Sequence, residues 1–166
     1  MNTEATLKLD RVVLATDFSR HSERAFEYAS VIAEQFDSEL HLLHVIHTPE
    51  TSVPEFGMGL AFPAYLENLP KQIEEAEKRA IAKLAELTPQ KWAGHRPVVL
   101  ATRNGPPFLE IIRYAREHKA DLLVMGTHGR SALPHVLLGS VAEKVVRKAS
   151  CAVLTVRLDD QDFTMP

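Results

Sequence analysis

Gly126, Gly129, Gly139 and Ser140 stand in the pattern Gly-x2-Gly-x9-Gly-Ser, the spacing in this chain best suited to chemistry. Glycines let a backbone approach an oxygen-rich ligand, and consecutive amides can form a cradle for phosphate. With a helix opening at Ser140, the N–H groups and positive dipole end at Ser140 and Val141 would strengthen the same anion site. The Ser140 hydroxyl adds a donor. From Gly126 to Ser150, Arg130, Lys144, Arg147 and Lys148 stand against the single acid Glu143. Taken singly, Gly126 and Gly129 read as turns and Ser140 as a helix cap with Glu143 at capping-box spacing. Together, at the end of a strand, they favour phosphate binding.

Other residues compete for attention. Asp17 closes the first apolar run and reads either as a metal or ribose ligand or as a cap beside Ser19. A phosphoacceptor receiver would need a second carboxylate after the third strand, where Thr102 and Arg103 stand instead. His128 and Arg130 flank the glycines, facing phosphate or solvent, and Arg103 suits a phosphate or a surface pair equally. His41, His44 and His47 invite a metal reading, but positions three apart on a strand face opposite sides. His41 to His47 would span about 20 Å at roughly 3.3 Å per residue, so no metal site is assigned. Cys151, opening the last strand, reads as a core thiol.

These groups need a scaffold that gathers strand ends and helix starts. Residues 11–16 form an unbroken apolar run, which suits a strand buried on both faces of a parallel sheet. After Ser19 the period turns helical, with Ala25, Phe26, Ala29, Ile32, Ala33 and Phe36 sharing a face. Further strands are expected at 39–46, 98–101, 121–125 and 152–156. Helices are expected over 71–88, from Pro106-Pro107, and from Ser140 with Val141, Val145, Val146 and Ala149 inward. Residues 47–70 carry Pro49, Pro54, Pro63 and Pro70 with Gly57 and Gly59, so no single regular element is expected there. Phe56, Met58, Leu60, Phe62, Tyr65 and Leu66 make this insertion too apolar for a solvated linker. Strands alternating with helices predict a doubly wound α/β domain: five parallel strands with helices on both faces. Ligands bind such sheets beyond the carboxyl ends of the strands, where strand order reverses.

Composition narrows the function classes. The chain has 166 residues, a net charge of −3 from 19 Lys and Arg against 22 Asp and Glu, and one Cys. That length predicts a single domain over 1–166, burying roughly 70% of its unfolded surface. A lone cysteine, no secretory leader and no apolar run of about 18 residues predict a cytoplasmic protein with no membrane partner. The charge balance offers no basic surface for nucleic acid.

The motifs resemble those of the universal stress protein family. Gly126-x2-Gly129-x9-Gly139-Ser140 is similar to that family's nucleotide-binding signature, and the likeness covers nearly the whole chain. Val12-Val13-Leu14-Ala15-Thr16-Asp17, with Ser19, His21-Ser22 and Ala25, resembles its first strand and helix. Leu43-His44-Val45, Asn104-Gly105-Pro106 and Val124-Met125-Gly126-Thr127-His128-Gly129-Arg130-Ser131 resemble its next three landmarks. Residues 149–156 resemble its last strand. Phe18 departs from the small residue that many members carry.

The resemblance implies a flavodoxin-like sheet of order 3-2-1-4-5 and binding of an adenine nucleotide, ATP with magnesium. It implies that Ala15 and Thr16 line the pocket, Asp17 sits near ribose and phosphates, and Val45 meets adenine with its backbone. Met125 and Gly126 would approach the ribose and first phosphates. Gly129, Arg130, Gly139, Ser140 and Val141 would surround the polyphosphate. It also implies a homodimer through antiparallel pairing of the last strands, at 152–157 between Ala152 and Arg157, and leaves a higher oligomer open. No Gly-x4-Gly-Lys-Ser/Thr, no three-glycine dinucleotide fingerprint and no Ser-His-Asp or Cys-His nucleophile accompanies the glycines. The expected role is therefore to hold a nucleotide and signal by its occupancy, with no catalytic residue assigned. Slow ATP hydrolysis aided by Asp17, or a nucleotide-free interaction module using 47–70, are the alternatives.

Overall fold

A computed structural model describes residues 7–47, 62–88, 96–129 and 138–158. Nine elements alternate: β1 (Arg11–Ala15), α1 (Arg20–Gln35), β2 (Glu39–Ile46), α2 (Phe62–Leu87), β3 (Val98–Asn104), α3 (Pro107–Glu117), β4 (Leu122–Gly126), α4 (Ser140–Lys148) and β5 (Ala152–Val156). All strand pairs are parallel, in the order β3-β2-β1-β4-β5. No described helix is long and apolar enough to cross a membrane.

Period-two alternation sorts the apolar runs onto the two faces of the sheet. Val12, Leu14, Leu40 and Leu42 pack with Ala25, Ala29 and Ala33 of α1 and Leu84 of α2. Val13, Ala15, Leu43, Leu123 and Met125 pack with Ile111, Tyr114 and Ala115 of α3 and Ala142 and Val145 of α4. Because β1 and β4 are covered on both sides, their residues read as continuous apolar runs. Small residues on α1 let that helix lie close to the sheet, and Phe36, expected inward, instead caps α1 at 42% exposure.

Two boundaries and one buried face differ most from expectation. Helix α2 starts at Phe62, not at 71, so residues 62–70 are helical and the expected irregular stretch is shorter. Pro63 occupies the first turn, where no intrahelical N–H is needed. Pro70 lies inside the helix and forgoes one ladder bond, a cost of about 3 kcal/mol that the packing of Ala80 and Leu84 overrides. The remainder of the insertion, residues 48–61, lies outside the described residues. Strand β3 runs on to Asn104 because the long β2 offers partners up to Ile46↔Asn104. Gly105, at φ +144°, then donates its N–H to Ile46 O at 3.0 Å and closes the ladder. In α4 the buried residues are Ala142 and Val145, while Val146 is 47% exposed.

Candidate functional site

Strand order reverses between β1 and β4: the chain runs outward through β2 and β3, then returns to the other side of β1. At that point a cleft of about 830 Å³ opens above the carboxyl ends of the strands. Its volume suits a mononucleotide-sized ligand. Ala15, Thr16 and Asp17 enter it from the end of β1, Val45 from β2, and Met125, Gly126 and Gly129 from β4 and its loop. Gly139, Ser140 and Val141 enter from the start of α4. Every described residue that the resemblance assigns to the nucleotide thus lines one cavity; Arg130 lies outside the described residues.

The three glycines have three different reasons. A Cβ on Gly126 would sit 2.9 Å from His21 Cβ and 3.0 Å from His21 C, so Gly126 lets α1 press against β4. A Cβ on Gly129 would stand 2.7 Å from Asp17 Oδ2, so Gly129 lets the loop pack directly against that carboxylate. Gly139 is the N-cap of α4, and its N–H donates to Thr127 O at 2.8 Å, tying the end of β4 to the helix start. Its φ of −64° and ψ of 156° are open to any residue, but a Cβ would lie 3.3 Å from Thr127 O.

The capping box expected at Ser140 does not form. Gly139 occupies the cap, Ser140 is the first helical residue, and no side chain caps α4. Glu143 instead accepts from Arg147 at 2.9 Å. The first-turn amides of α4 have no acceptor within the helix, and they open on the cleft with the positive end of the dipole.

Electrostatics is where the sequence reading missed most. Arg147 is engaged with Glu143, and Lys144 Nζ lies 4.9 Å from the Phe108 ring centroid. Among the described residues, the cations that line the cleft are instead Arg79 and Lys83 of α2. They share the stripe Ala76, Arg79, Ala80, Lys83, next to the buried Ala80 and Leu84; that i, i+3, i+4, i+7 spacing was the available signal. Arg103 is no part of the cleft: it bonds Glu117 at 2.7 Å and lies over Tyr114. His128 lines the cleft with Nδ1 3.1 Å from Thr127 Oγ1 and its ring 5.6 Å from that of His21.

The β1 exit is a chain of side-chain turns. Buried Thr16 accepts the Phe18 N–H on Oγ1 at 3.1 Å and donates to Ser22 Oγ at 3.0 Å. Asp17 Oδ1 accepts the Ser19 N–H at 3.1 Å and the Ser19 hydroxyl at 2.6 Å, an Asx turn. Ser19 in turn caps α1. Phe18 has φ +61°, a conformation that costs a bulky side chain on the order of 1–2 kcal/mol.

The histidines do not converge. His41, on one face, places Nδ1 2.8 Å from the Tyr114 hydroxyl, while His44, on the other, places Nδ1 2.8 Å from Thr16 O. Among the described residues no three His, Cys, Asp or Glu side chains form a metal-ligand set. Asp17, whose Oδ2 packs against the glycine loop, is a carboxylate that could serve a cation held mainly by ligand oxygens, as magnesium is. Burial pushes the Cys151 thiol above its ordinary pKa, consistent with a core thiol.

The profile of the universal stress protein family matches residues 8–157. Universal stress protein MJ0531 of Methanocaldococcus jannaschii is 37% identical over 150 residues, spanning 89% of this chain and 81% of that protein. The solved structure of MJ0577, from the same organism, superposes with a TM-score of 0.76 at 26% identity, covering 93% of this chain and all of that one. A universal stress protein solved in complex with cAMP superposes with a TM-score of 0.55 at 25% identity, covering 90% and 98%. Sheet order, glycine loop and these likenesses agree, and the chain belongs to the universal stress protein family.

Proposed function

We propose that this chain binds an adenine nucleotide, ATP with magnesium, in the cleft between β1 and β4 and signals through its occupancy. The observation that carries this reading is the cleft of about 830 Å³ at the switch point, on which the uncapped start of α4 opens. A related protein of the same fold was solved with cAMP, which supports an adenine ligand.

In this reading Ala15 and Thr16 line the pocket, Val45 meets the base with its backbone, and Met125 and Gly126 flank the ribose. The amides of Gly129, Gly139, Ser140 and Val141 hold the phosphates, where the helix dipole favours negative charge. Asp17 supplies one carboxylate oxygen to a magnesium ion held otherwise by phosphate and water. Arg130 belongs to the phosphate set by its place in the motif. Lys83 and Arg79 add positive potential from the far wall. The chain acts as a single cytoplasmic domain, dimeric through β5, without a catalytic residue.

Native purification followed by mass spectrometry tests the reading. An adenine nucleotide should travel with the protein in near-stoichiometric amount; protein that emerges free of nucleotide and fails to take up added ATP contradicts it.

A further inference from the structure

Three residues described here have positive φ without being glycine: Phe18, Asp37 and Lys119. Asp37 and Lys119 each follow a helix C-cap, where a left-handed residue is ordinary. Phe18 does not. It sits between β1 and the N-cap of α1, lining the cleft. In the Asx turn closed by Asp17 Oδ1 and Ser19 N–H, Phe18 holds the position that takes positive φ in a type II turn, which glycine or asparagine usually fills.

The ring explains why a bulky residue is held there. Its centroid lies 4.5 Å from that of His44, and Lys83 Nζ lies 5.3 Å from it. His44 is itself fixed to Thr16 O at 2.8 Å, and the Phe18 N–H is fixed to Thr16 Oγ1. The turn is thereby clamped at its backbone by Thr16 and at its ring by β2 and α2. With Oδ1 committed to Ser19, the other oxygen, Oδ2, is the one directed at Gly129.

We propose that Phe18 is a positioning residue: its ring, packed on His44 with Lys83 Nζ 5.3 Å away, steadies the Asx turn so that Asp17 Oδ2 faces the metal–phosphate end of the ligand. This rests on the nucleotide reading above. A glycine would satisfy the same φ without the ring contacts, leaving the turn without its anchor on β2.

Phe18→Gly therefore separates strain from positioning, because it relieves the backbone while removing the ring. Titration calorimetry on wild type, Phe18→Gly, Asp17→Asn and the double variant, with ATP in the presence and absence of magnesium, forms the test. Phe18→Gly should weaken magnesium–ATP binding by about tenfold, within the range of coupling in one hydrogen-bonded network. It should weaken metal-free ATP binding far less, and add nothing in the Asp17→Asn background. A general structural role would lower all of these alike. Unchanged magnesium–ATP affinity in Phe18→Gly, or an equal loss with Asp17 replaced, overturns the proposal while the nucleotide reading stands. Failure of wild type to bind ATP overturns both.

Discussion

His41 shows how much a single buried side chain can do away from the cleft. It is 2% exposed, with Nδ1 on the Tyr114 hydroxyl and the His118 ring 5.2 Å away. Nε2 lies 3.3 Å from Glu39 Oε1, near enough for charge attraction but off the line of a hydrogen bond. Burial holds the His41 pKa below its ordinary value, with His118 and Arg11 adding to that push and Glu39 opposing it. The unfolded chain therefore takes up the proton first as pH falls. This contribution to stability is complete above about 6.5 and is lost as pH drops from there toward the folded-state pKa. Thermal melts between about pH 7.5 and 5.5 should show a falling Tm that flattens in His41→Gln; an unchanged slope in the variant would count against this origin. Burial also raises the Tyr114 hydroxyl to about 12, so it stays protonated across that range. The three-residue spacing of His41 and His44 placed them on opposite faces, as the structure shows. It could not show the partner of His41, because Tyr114 is set in place by α3, far along the chain.

Elements that bury a periodic face were the legible ones. Residues 39–46 and 152–156 were read as strands with the observed ends, and the α1 stripe of Ala25, Ala29 and Ala33 packs as its spacing requires. The failures share a cause. Proline argued for a break at Pro70, and the helix persists because tertiary packing outweighs a local cost. Ser140 with Glu143 argued for a cap, yet the bond from Gly139 N–H to Thr127 O moves the cap one residue earlier. Arg79 and Lys83 were not among the residues singled out, because only the β2–α2 and α2–β3 packing turns them to the cleft they line. Another such joint lies at the opposite end of the sheet, where Asp121 Oδ2 accepts the N–H groups of Asp10 at 2.8 Å and Arg11 at 2.9 Å. One carboxylate thereby pins the start of β1 beside the start of β4. Asp121→Ala should lower unfolding free energy by about 1–3 kcal/mol in denaturant melts, since two donors lose their acceptor. A loss within error would show that β1 needs no such pin.

For the whole molecule, the sheet among the described residues has one edge at β5, bonded to β4 on one side only. Thr127 N–H donates to Val156 O, so the backbone groups of Val156 face β4, and those of Val153 and Thr155, at alternate positions, face outward. An open edge of this kind invites pairing with a second copy. If the proposed dimer forms there, Thr155→Pro removes an outward donor without touching the β4 ladder and should shift sedimentation from dimer to monomer. A dimer that survives the change would place the interface elsewhere. The central claim concerns the cleft, and titration calorimetry of magnesium–ATP into wild type and Gly129→Val tests it most directly. A valine there would bring its Cβ to 2.7 Å from Asp17 Oδ2, forcing apart the loop amide and the carboxylate that the account assigns to the ligand. The account predicts saturable binding to wild type and a loss of at least about tenfold in the variant, equivalent to about 1.4 kcal/mol, with Tm little changed. Equal affinity in the two proteins would contradict it.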